Sequence, residues 1–179
     1  MRAILLLALT ITSFAWGATY YVGPTRSYTT ISSAISAASS GDTILVDAGT
    51  YNEELDIDRN LTITGAGSGS TTLSYSNTSD FSVVFFSGGG SSTLEGFTIS
   101  STHRRAVWIE NNSNVTLDDI VVDGMTWRTN GGVINCDSGT LTVSNSEFTN
   151  NSAGGPGGVI LSYCDTTISN STFDSNSAV

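Results

Sequence analysis

The sequence contains no lysine, and its six basic residues are all arginines. The formal net charge at pH 7 is −10. Proteins that bind nucleic acid or another polyanion carry a basic face that neutralises the ligand's negative charges. The chain lacks the charge for such a ligand, and we expect no nucleic-acid partner.

Long apolar runs are also scarce, and the clearest one lies at the N-terminus. Met1-Arg2 precedes an apolar run from Ala3 to Leu9, and Ala15 and Gly17 are small residues of the kind that a signal peptidase recognises. Because the run is too short to cross a bilayer, residues 1–17 are predicted to be a secretory signal peptide; an uncleaved anchor is the alternative. We expect a secreted or cell-surface protein with no transmembrane helix in the mature chain.

Cysteine is rare as well, since only Cys136 and Cys164 occur, 28 residues apart. An exported protein can form a disulfide. Their spacing differs by about two residues from the repeat described next, an offset that would separate the sulfurs if the repeated units stacked in equal phase. The sequence leaves two interpretations open, a disulfide or two small buried apolar side chains.

The chain does contain a repeated unit near its end. Gly131-Gly132-Val133-Ile134 recurs as Gly157-Gly158-Val159-Ile160, and the segment 141–153 recurs as 166–178. The offsets are 26 and 25 residues. The apolar anchors of the pattern extend it towards the N-terminus and are Leu94, Leu117, Val143 and Ile168. A period of this length is typical of stacked structural units.

The repeats contain short alternating apolar runs separated by Gly, Asn, Asp or Ser, which predict short strands. One unit cannot bury its apolar face alone, so the units must stack. We predict an all-β fold, a right-handed single-stranded parallel β-helix, with about 4.8 Å between strands of neighbouring coils. Residues 18–67 would form the N-terminal cap and first coils, with a short amphipathic helix at 28–39. Residues 68–179 would form further coils, ending at a repeat boundary without an evident C-terminal cap.

Ten residues are predicted to have structural roles because each occurs at the same position in both copies of the repeat. The glycines would supply a backbone with positive φ ahead of a buried strand. The asparagines would form ladders between coils, and the phenylalanines would share an inward column. The residues are Gly131, Gly132, Gly157, Gly158, Asn145, Asn170, Asn151, Asn176, Phe148 and Phe173.

Several segments between residues 20 and 67 occur in an order that resembles a known superfamily. They are Tyr28 to Ile35, Gly41 to Ile44, Ala48-Gly49-Thr50-Tyr51 and Leu61 to Gly65. They resemble the N-terminal cap and first coils of the pectin-lyase-like superfamily. The resemblance implies a right-handed parallel β-helix. Since many members are polysaccharide lyases, hydrolases or esterases, it also raises a carbohydrate-active enzyme as an alternative that fold alone does not establish.

The paired Gly-Gly-Val-Ile and Phe-x-x-Asn motifs between residues 131 and 178 show a second, narrower resemblance. They are similar to the repeats of the polymorphic outer membrane proteins, a family described in chlamydiae. This resemblance implies an exported β-helical domain of a bacterial surface protein, often with an adhesive role.

Two acidic clusters could support chemistry, one at residues 53–58 and one at 118–123. Paired carboxylates can act as acid and base or can bind Ca²⁺, the one cofactor considered. The calcium candidates are Asp56, Asp58, Asp118 and Asp119. A solvated outer face is the alternative for the first cluster, and a turn role is the alternative for Asp119. No residue is predicted to be catalytic.

Two further groups are considered for binding or catalysis. His103-Arg104-Arg105 is the only basic cluster, and an arginine could serve as the base of an elimination reaction; a surface turn is the alternative. Aromatic side chains could stack on sugar rings, and Trp108 would face outward if Val107 and Ile109 point inward. Core packing is the alternative for Trp108. The other aromatic candidates are Tyr20, Tyr21, Tyr75 and Trp127.

We therefore expect a secreted or cell-surface β-helix module with a structural or adhesive, non-enzymatic role, alone or as a fragment of a longer surface protein. Its partner would be a polysaccharide or a ligand on a host or neighbouring cell. One alternative is a polysaccharide lyase or hydrolase. Another is an extracellular filament subunit that self-associates through its uncapped C-terminal coil.

Overall fold

Short β-strands dominate the structure. A computed structural model describes residues 17–75, 82–101, 105–127 and 132–178. Within them lies one helix, α1 (Ile31–Ala37). The strands are β1 (Thr19–Val22), β2 (Asp42–Val46), β3 (Gly49–Tyr51), β4 (Leu55–Ile57), β5 (Leu61–Thr64), β6 (Thr71–Ser74), β7 (Ser82–Phe86), β8 (Gly90–Ser100), β9 (Arg105–Ile109), β10 (Ser113–Asp123), β11 (Thr126–Trp127), β12 (Ile134–Cys136), β13 (Gly139–Ser144), β14 (Glu147–Thr149), β15 (Ser152–Ala153), β16 (Ile160–Ser162), β17 (Asp165–Ser169), β18 (Thr172–Asp174) and β19 (Ser177–Ala178).

The described strands form three sheets, and their pairings are parallel. The large sheet has the order β1-β2-β5-β8-β10-β13-β17, with β3, β6, β14 and β18 paired beside this path. A five-stranded sheet has the order β4-β7-β9-β12-β16, and a three-stranded sheet has the order β11-β15-β19. Neighbouring strands of each sheet come from successive turns of the chain, so the chain winds as a solenoid. The predicted parallel β-helix is confirmed.

A column of apolar side chains runs inside the large sheet from coil to coil. Its members pair in register and are Ile44, Ile63, Leu94, Leu117, Val143 and Ile168. The first five are fully buried, whereas Ile168 in the last described coil is 47% exposed. The predicted alignment of the last four is confirmed. Because side chains alternate along a strand, the residues on either side of each anchor point outward.

Helix α1 covers the first coils and is shorter than predicted. It spans Ile31–Ala37, whereas the sequence pattern predicted 28–39. The Thr30 side chain accepts a hydrogen bond from Ser33 N, which makes Thr30 the N-cap. Tyr28 forms an isolated β-bridge, and the backbone at Ala38 is extended. The buried helix residues are Ile31, Ala34 and Ile35.

Asn151 and Asn176 connect the backbones of successive coils through their side-chain amides. Asn151 Oδ1 accepts a hydrogen bond from Met125 N, and Asn151 Nδ2 donates one to Val122 O, each at 2.9 Å. One coil later, Asn176 Oδ1 accepts from Asn151 N at 2.9 Å, and Asn176 Nδ2 donates to Phe148 O at 2.8 Å. Each asparagine therefore satisfies one backbone donor and one backbone acceptor of the preceding coil.

Asn145 and Asn170 have a different role, because they turn the chain. Their φ angles are 50° and 48°, and Asp119 (48°) and Gly96 (75°) occupy the same phase of the preceding coils. This left-handed region disfavours most side chains but is tolerated by Asn, Asp and Gly. The predicted amide ladder is not formed by Asn145, whose Nδ2 donates to Asp118 Oδ1 of the preceding coil at 2.7 Å instead of reaching Asn170.

The left-handed turn at Asn145 predicts a difference between two substitutions. Asn145→Val and Asn145→Gly both lose the bond to Asp118, so their difference isolates the backbone. We expect the free energy of unfolding of the valine variant to be lower than that of the glycine variant by about 1 kcal/mol. This figure allows for glycine's larger entropy in the unfolded chain. Urea denaturation followed by circular dichroism measures this difference. Equal stabilities would show that residue 145 does not keep the left-handed conformation.

The described glycines of the repeat have two separate functions. Gly157 and Gly158 have φ angles of 101° and 26° and precede the buried Val159. At Gly132 a Cβ atom would collide with the carbonyl oxygen of Val159, so a glycine there lets two coils approach closely. Gly131 lies outside the described residues.

The last described coil presents its apolar side chains to solvent. Phe173 pairs in register with Phe148, and their rings stack with centroids 4.9 Å apart. Phe148 is fully buried, but Phe173 is 40% exposed. A cavity of about 510 Å³ opens at this coil and is lined by Gly157, Gly158, Val159, Ile160, Ile168, Phe173, Ser175 and Asn176. Self-association through this surface stays a prediction.

The structure places Cys136 and Cys164 in a disulfide, with Cα atoms 5.9 Å apart. Cys136 pairs in register with Ser162, and Thr140 pairs with Asp165. The turn between Ser162 and Asp165 is therefore one residue shorter than the turn between Cys136 and Thr140. Cys164 lies in this shorter turn, and the offset that the sequence raised as an obstacle does not separate the two sulfurs.

Within the described residues, no helix has both the length and the apolar character needed to span a membrane. The predicted signal peptide lies outside these residues except for Gly17. Its removal, and the predicted boundary between residues 67 and 68, stay predictions.

Candidate binding surface

The five-stranded sheet presents a distinctive column of outward side chains. In its first four strands the column alternates with buried residues such as Ile57, Val84, Val107 and Ile134. The column members pair in register from coil to coil and are Asp56, Phe85, Trp108, Asn135 and Leu161. Two aromatic rings therefore lie side by side on the outside of the solenoid.

Trp108 lies at the centre of this column and is held by three neighbours. Its ring centroid is 5.3 Å from that of Phe85, and Arg105 Cζ lies 5.0 Å from the indole centroid, within cation–π range. Trp108 Nε1 donates a hydrogen bond to Asp137 Oδ2 at 2.7 Å. Asp137 Oδ1 accepts another from Asn135 Nδ2 at 2.7 Å. We call the group formed by these side chains the Trp108 surface; its members are Asp56, Phe85, Arg105, Trp108, Asn135 and Asp137.

The outward direction predicted for Trp108 agrees with the structure, because Val107 and Ile109 are fully buried on either side of it. The indole itself is partly covered, not fully exposed. An aromatic face with hydrogen-bonding groups at its edge can pack against an apolar ligand surface and bond to its polar substituents. His103 and Arg104, the rest of the basic cluster, lie outside the described residues.

Arg105 supplies the positive charge of the Trp108 surface. Burial lowers the pKa of its guanidinium, and the nearby carboxylate of Asp137 partly offsets this effect. Arginine remains protonated at physiological pH in proteins. The surface therefore combines one cation, two anions, two aromatic rings and the amide of Asn135, which is only 5% exposed.

The carboxylates of the first acidic cluster bond to different parts of the protein. The Glu53 carboxylate accepts hydrogen bonds from Ile31 N and Ser32 N at 2.7 and 2.9 Å, at the start of α1. Asp58 pairs with Arg59 at 2.6 Å, and this contact lowers the pKa of Asp58. Asp56 alone lies on the Trp108 surface, where it accepts a bond from Ser87 Oγ.

The second acidic cluster is also occupied by protein donors. Asp118 Oδ1 accepts from Ser144 Oγ and Asn145 Nδ2, each at 2.7 Å. Asp119 Oδ1 accepts from Ser68 Oγ at 2.6 Å. Asp123 accepts from Asn150 and Thr149, which lower its pKa in that order of importance.

Over the described ranges, no three His, Cys, Asp or Glu side chains come together as metal ligands. The structure thus does not gather Asp56, Asp58, Asp118 and Asp119 into one site, and calcium binding by them stays a prediction that the geometry does not favour. A cavity of about 280 Å³ lies elsewhere, beside α1, and is lined by Pro24, Thr29, Thr30 and residues 48–53.

Comparison with known proteins identifies the solenoid. Residues 15–173 match the family model described as right handed beta helix region. This chain belongs to the right-handed β-helix family. The match fixes the hand of the solenoid and confirms the right-handed parallel β-helix that the resemblance of residues 20–67 implied. The resemblance to polymorphic outer membrane repeats stays a prediction.

Solved structures similar to this β-helix are pectin methylesterases at low identity. PemA from Erwinia chrysanthemi is 14% identical with a TM-score of 0.48, and the match covers 79% of this chain and 50% of that chain. The Aspergillus niger enzyme is 16% identical with a TM-score of 0.39, covering 89% and 77%. A pectin methylesterase in complex with hexasaccharide VII is 14% identical with a TM-score of 0.40, covering 76% and 67%. The chain thus spans half the length of PemA. No curated protein sequence matches it.

Proposed function

We propose that this β-helix is an exported, non-enzymatic module that binds a polysaccharide through the Trp108 surface. The observation that carries the proposal is the Trp108 ring, which is fixed between Phe85 and Arg105 on the outside of the solenoid. Sugars have apolar C–H faces that pack on aromatic rings and hydroxyls that need polar partners, which the exposed carboxylate of Asp137 can provide. The disulfide supports export, because disulfides persist mainly outside the reducing cytosol.

Four described carboxyl groups outside the Trp108 surface are held in their ionised form by structural contacts. Their pKa is lowered by backbone N–H groups at Asp42, by arginines at Asp47 and Asp58, and by Asn150 and Thr149 at Asp123. The proton donor of glycoside cleavage is a carboxylic acid whose pKa is raised. These four groups therefore do not fit the role of that proton donor.

The proposal predicts a large effect of Trp108→Ala on polysaccharide binding. We expect the Kd for the bound polysaccharide to rise about tenfold or more, since truncating a central tryptophan of a binding surface costs roughly 1.4 kcal/mol or more. Affinity electrophoresis of the mature chain against a panel of neutral and acidic polysaccharides identifies the ligand. Isothermal titration then measures the Kd of both proteins.

A matched control is Tyr21→Ala, which removes another aromatic ring that lies near an arginine. Arg26 Cζ is 5.5 Å from the Tyr21 ring; Tyr21 lies on β1 and Arg26 in the segment that follows it, and neither belongs to the Trp108 surface. The control should bind like the wild type. Absence of binding to every polysaccharide, or an equal loss in both variants, contradicts the proposal. Release of reducing ends or unsaturated sugars that Trp108→Ala abolishes would favour the enzyme alternative.

A further inference from the structure

A second outward column, on the large sheet, consists of threonines in seven consecutive strands. They pair in register without a shift and are Thr19, Thr43, Thr62, Thr93, Thr116, Thr142 and Thr167. Each directly precedes an inward residue on its strand, and none of the seven side chains is buried. Strand pairing places neighbouring threonines about 4.8 Å apart along the solenoid axis.

A neighbouring column extends this row into two dimensions. It lies two residues earlier on the same strands and contains Ser91, Asn114, Thr140 and Asp165. Two residues along a strand span about 6.6 Å, so hydroxyl and amide groups repeat in both directions of the face. Charged side chains bound the neutral part of the face: Glu95 and Asp118 lie on the other side of the threonines, and Asp165 ends the neighbouring column in the last described coil.

The hydroxyls of the threonine column lie on side chains that are not buried. Across the described ranges, none of these seven hydroxyls makes a hydrogen bond to another protein group. The β-branched side chain is restricted at χ1, so each hydroxyl and each methyl keeps a defined position on the strand. A single exposed threonine is common in strands. Seven in register form a rigid and regular array of alternating polar and apolar groups.

We propose that the threonine column, with the adjacent Ser91–Asn114–Thr140 column, binds the surface of an ice crystal. Ice presents a neutral lattice of water donors and acceptors that repeats in two dimensions, and a regular, uncharged, rigid face is its complement. Water molecules held between hydroxyls and beside methyl groups would join the lattice, at a small entropic cost because the groups that order them are already fixed. A charged face would instead bind its own hydration shell, whose water molecules would not adopt the arrangement of the ice lattice.

This ice-binding role is independent of the Trp108 surface, because the two faces belong to different sheets. A crystalline polysaccharide is the other regular ligand that a flat face could bind. The threonine column contains no aromatic ring on which a sugar could stack. Its hydroxyls can donate and accept hydrogen bonds as the water molecules of a lattice do, so we favour ice.

The test compares two lysine substitutions on outward, half-buried threonines of the large sheet. Thr116→Lys places a charge at the centre of the column. Thr72→Lys places the same charge on β6, outside the column, where Thr72 pairs with Thr98. Purified wild type is expected to lower the freezing temperature below the melting temperature and to slow recrystallisation of polycrystalline ice. Thr116→Lys should lose both effects, and Thr72→Lys should keep them. Circular dichroism confirms that both variants are folded.

The proposal is overturned if the wild type leaves ice growth unchanged, or if the two lysine variants retain equal activity. If Thr116→Lys fails to fold, Thr142→Lys takes its place, since Thr142 occupies the same column one coil further on. Pull-down with microcrystalline cellulose is the parallel measurement. Binding to cellulose that Thr116→Lys abolishes, without any effect on ice, assigns the face to a polysaccharide and also overturns the proposal.

Discussion

Replacing Asn151 by alanine is expected to lower the free energy of unfolding by about 3 kcal/mol or more, because it leaves two buried backbone groups without partners. Asn151 is 1% exposed. Its amide bonds to Met125 N and Val122 O, which belong to the preceding coil. Alanine offers neither an acceptor nor a donor, and water has no access to take its place. Urea denaturation followed by circular dichroism measures the loss.

Asn176→Ala provides the matched control. Asn176 makes the same two kinds of bonds, to Asn151 N and Phe148 O, but it is half-buried in the last described coil. Water can replace its amide there, so we expect a loss of about 1 kcal/mol. If both variants lose the same stability, the asparagines do not stabilise the fold by bonding to buried backbone groups.

Reduction of the disulfide between Cys136 and Cys164 is expected to lower the free energy of unfolding by about 3–4 kcal/mol, because the bond restricts the unfolded chain across a loop of this length. The two cysteines are 28 residues apart, and the bond joins successive coils. The urea midpoint of the wild type, measured with and without reductant, gives the difference. The amides of β17 should exchange faster with solvent after reduction, while those of β2 should not.

The double variant Cys136→Ala/Cys164→Ala separates the bond from other effects of the reductant. Its urea midpoint should be the same with and without reductant and should lie near that of the reduced wild type. An oxidised wild type that unfolds at the midpoint of the reduced protein would falsify the assigned disulfide. The same experiment tests whether the chain can keep its last described coil in a reducing compartment.

The fold was predictable because its main signal lies in the spacing of apolar residues. Leu94, Leu117, Val143 and Ile168 recur about once per coil, and in a parallel solenoid equal phase means direct stacking. The disulfide was not predictable from this rule. Cys136 lies on β12, whereas Cys164 lies in the short turn after β16, and the geometry of such a turn is not specified by the repeat.

The sequence pointed to part of the Trp108 surface and missed the threonine column. Trp108 was found because Val107 and Ile109 alternate with it. Phe85 was missed because Val83 and Val84 are both buried before it, which breaks the alternation in β7. The threonine column was missed although its signal was present, since Thr93 and Thr116 each directly precede an aligned anchor. The acidic residues were proposed as a site because they cluster in the sequence. In the structure their carboxylates bond to different protein groups and do not form one site.

The asparagine bonds between coils have a consequence for how the length of this protein can change in evolution. The coils that contain Asn151 and Asn176 each bond to the coil before them in the same way, so a tandem duplication of one such unit would create no mismatched junction. Such a duplication would also add one threonine to the column on the large sheet. A gene that encodes this solenoid can therefore enlarge a surface in steps of one repeat, without any point mutation at the surface itself.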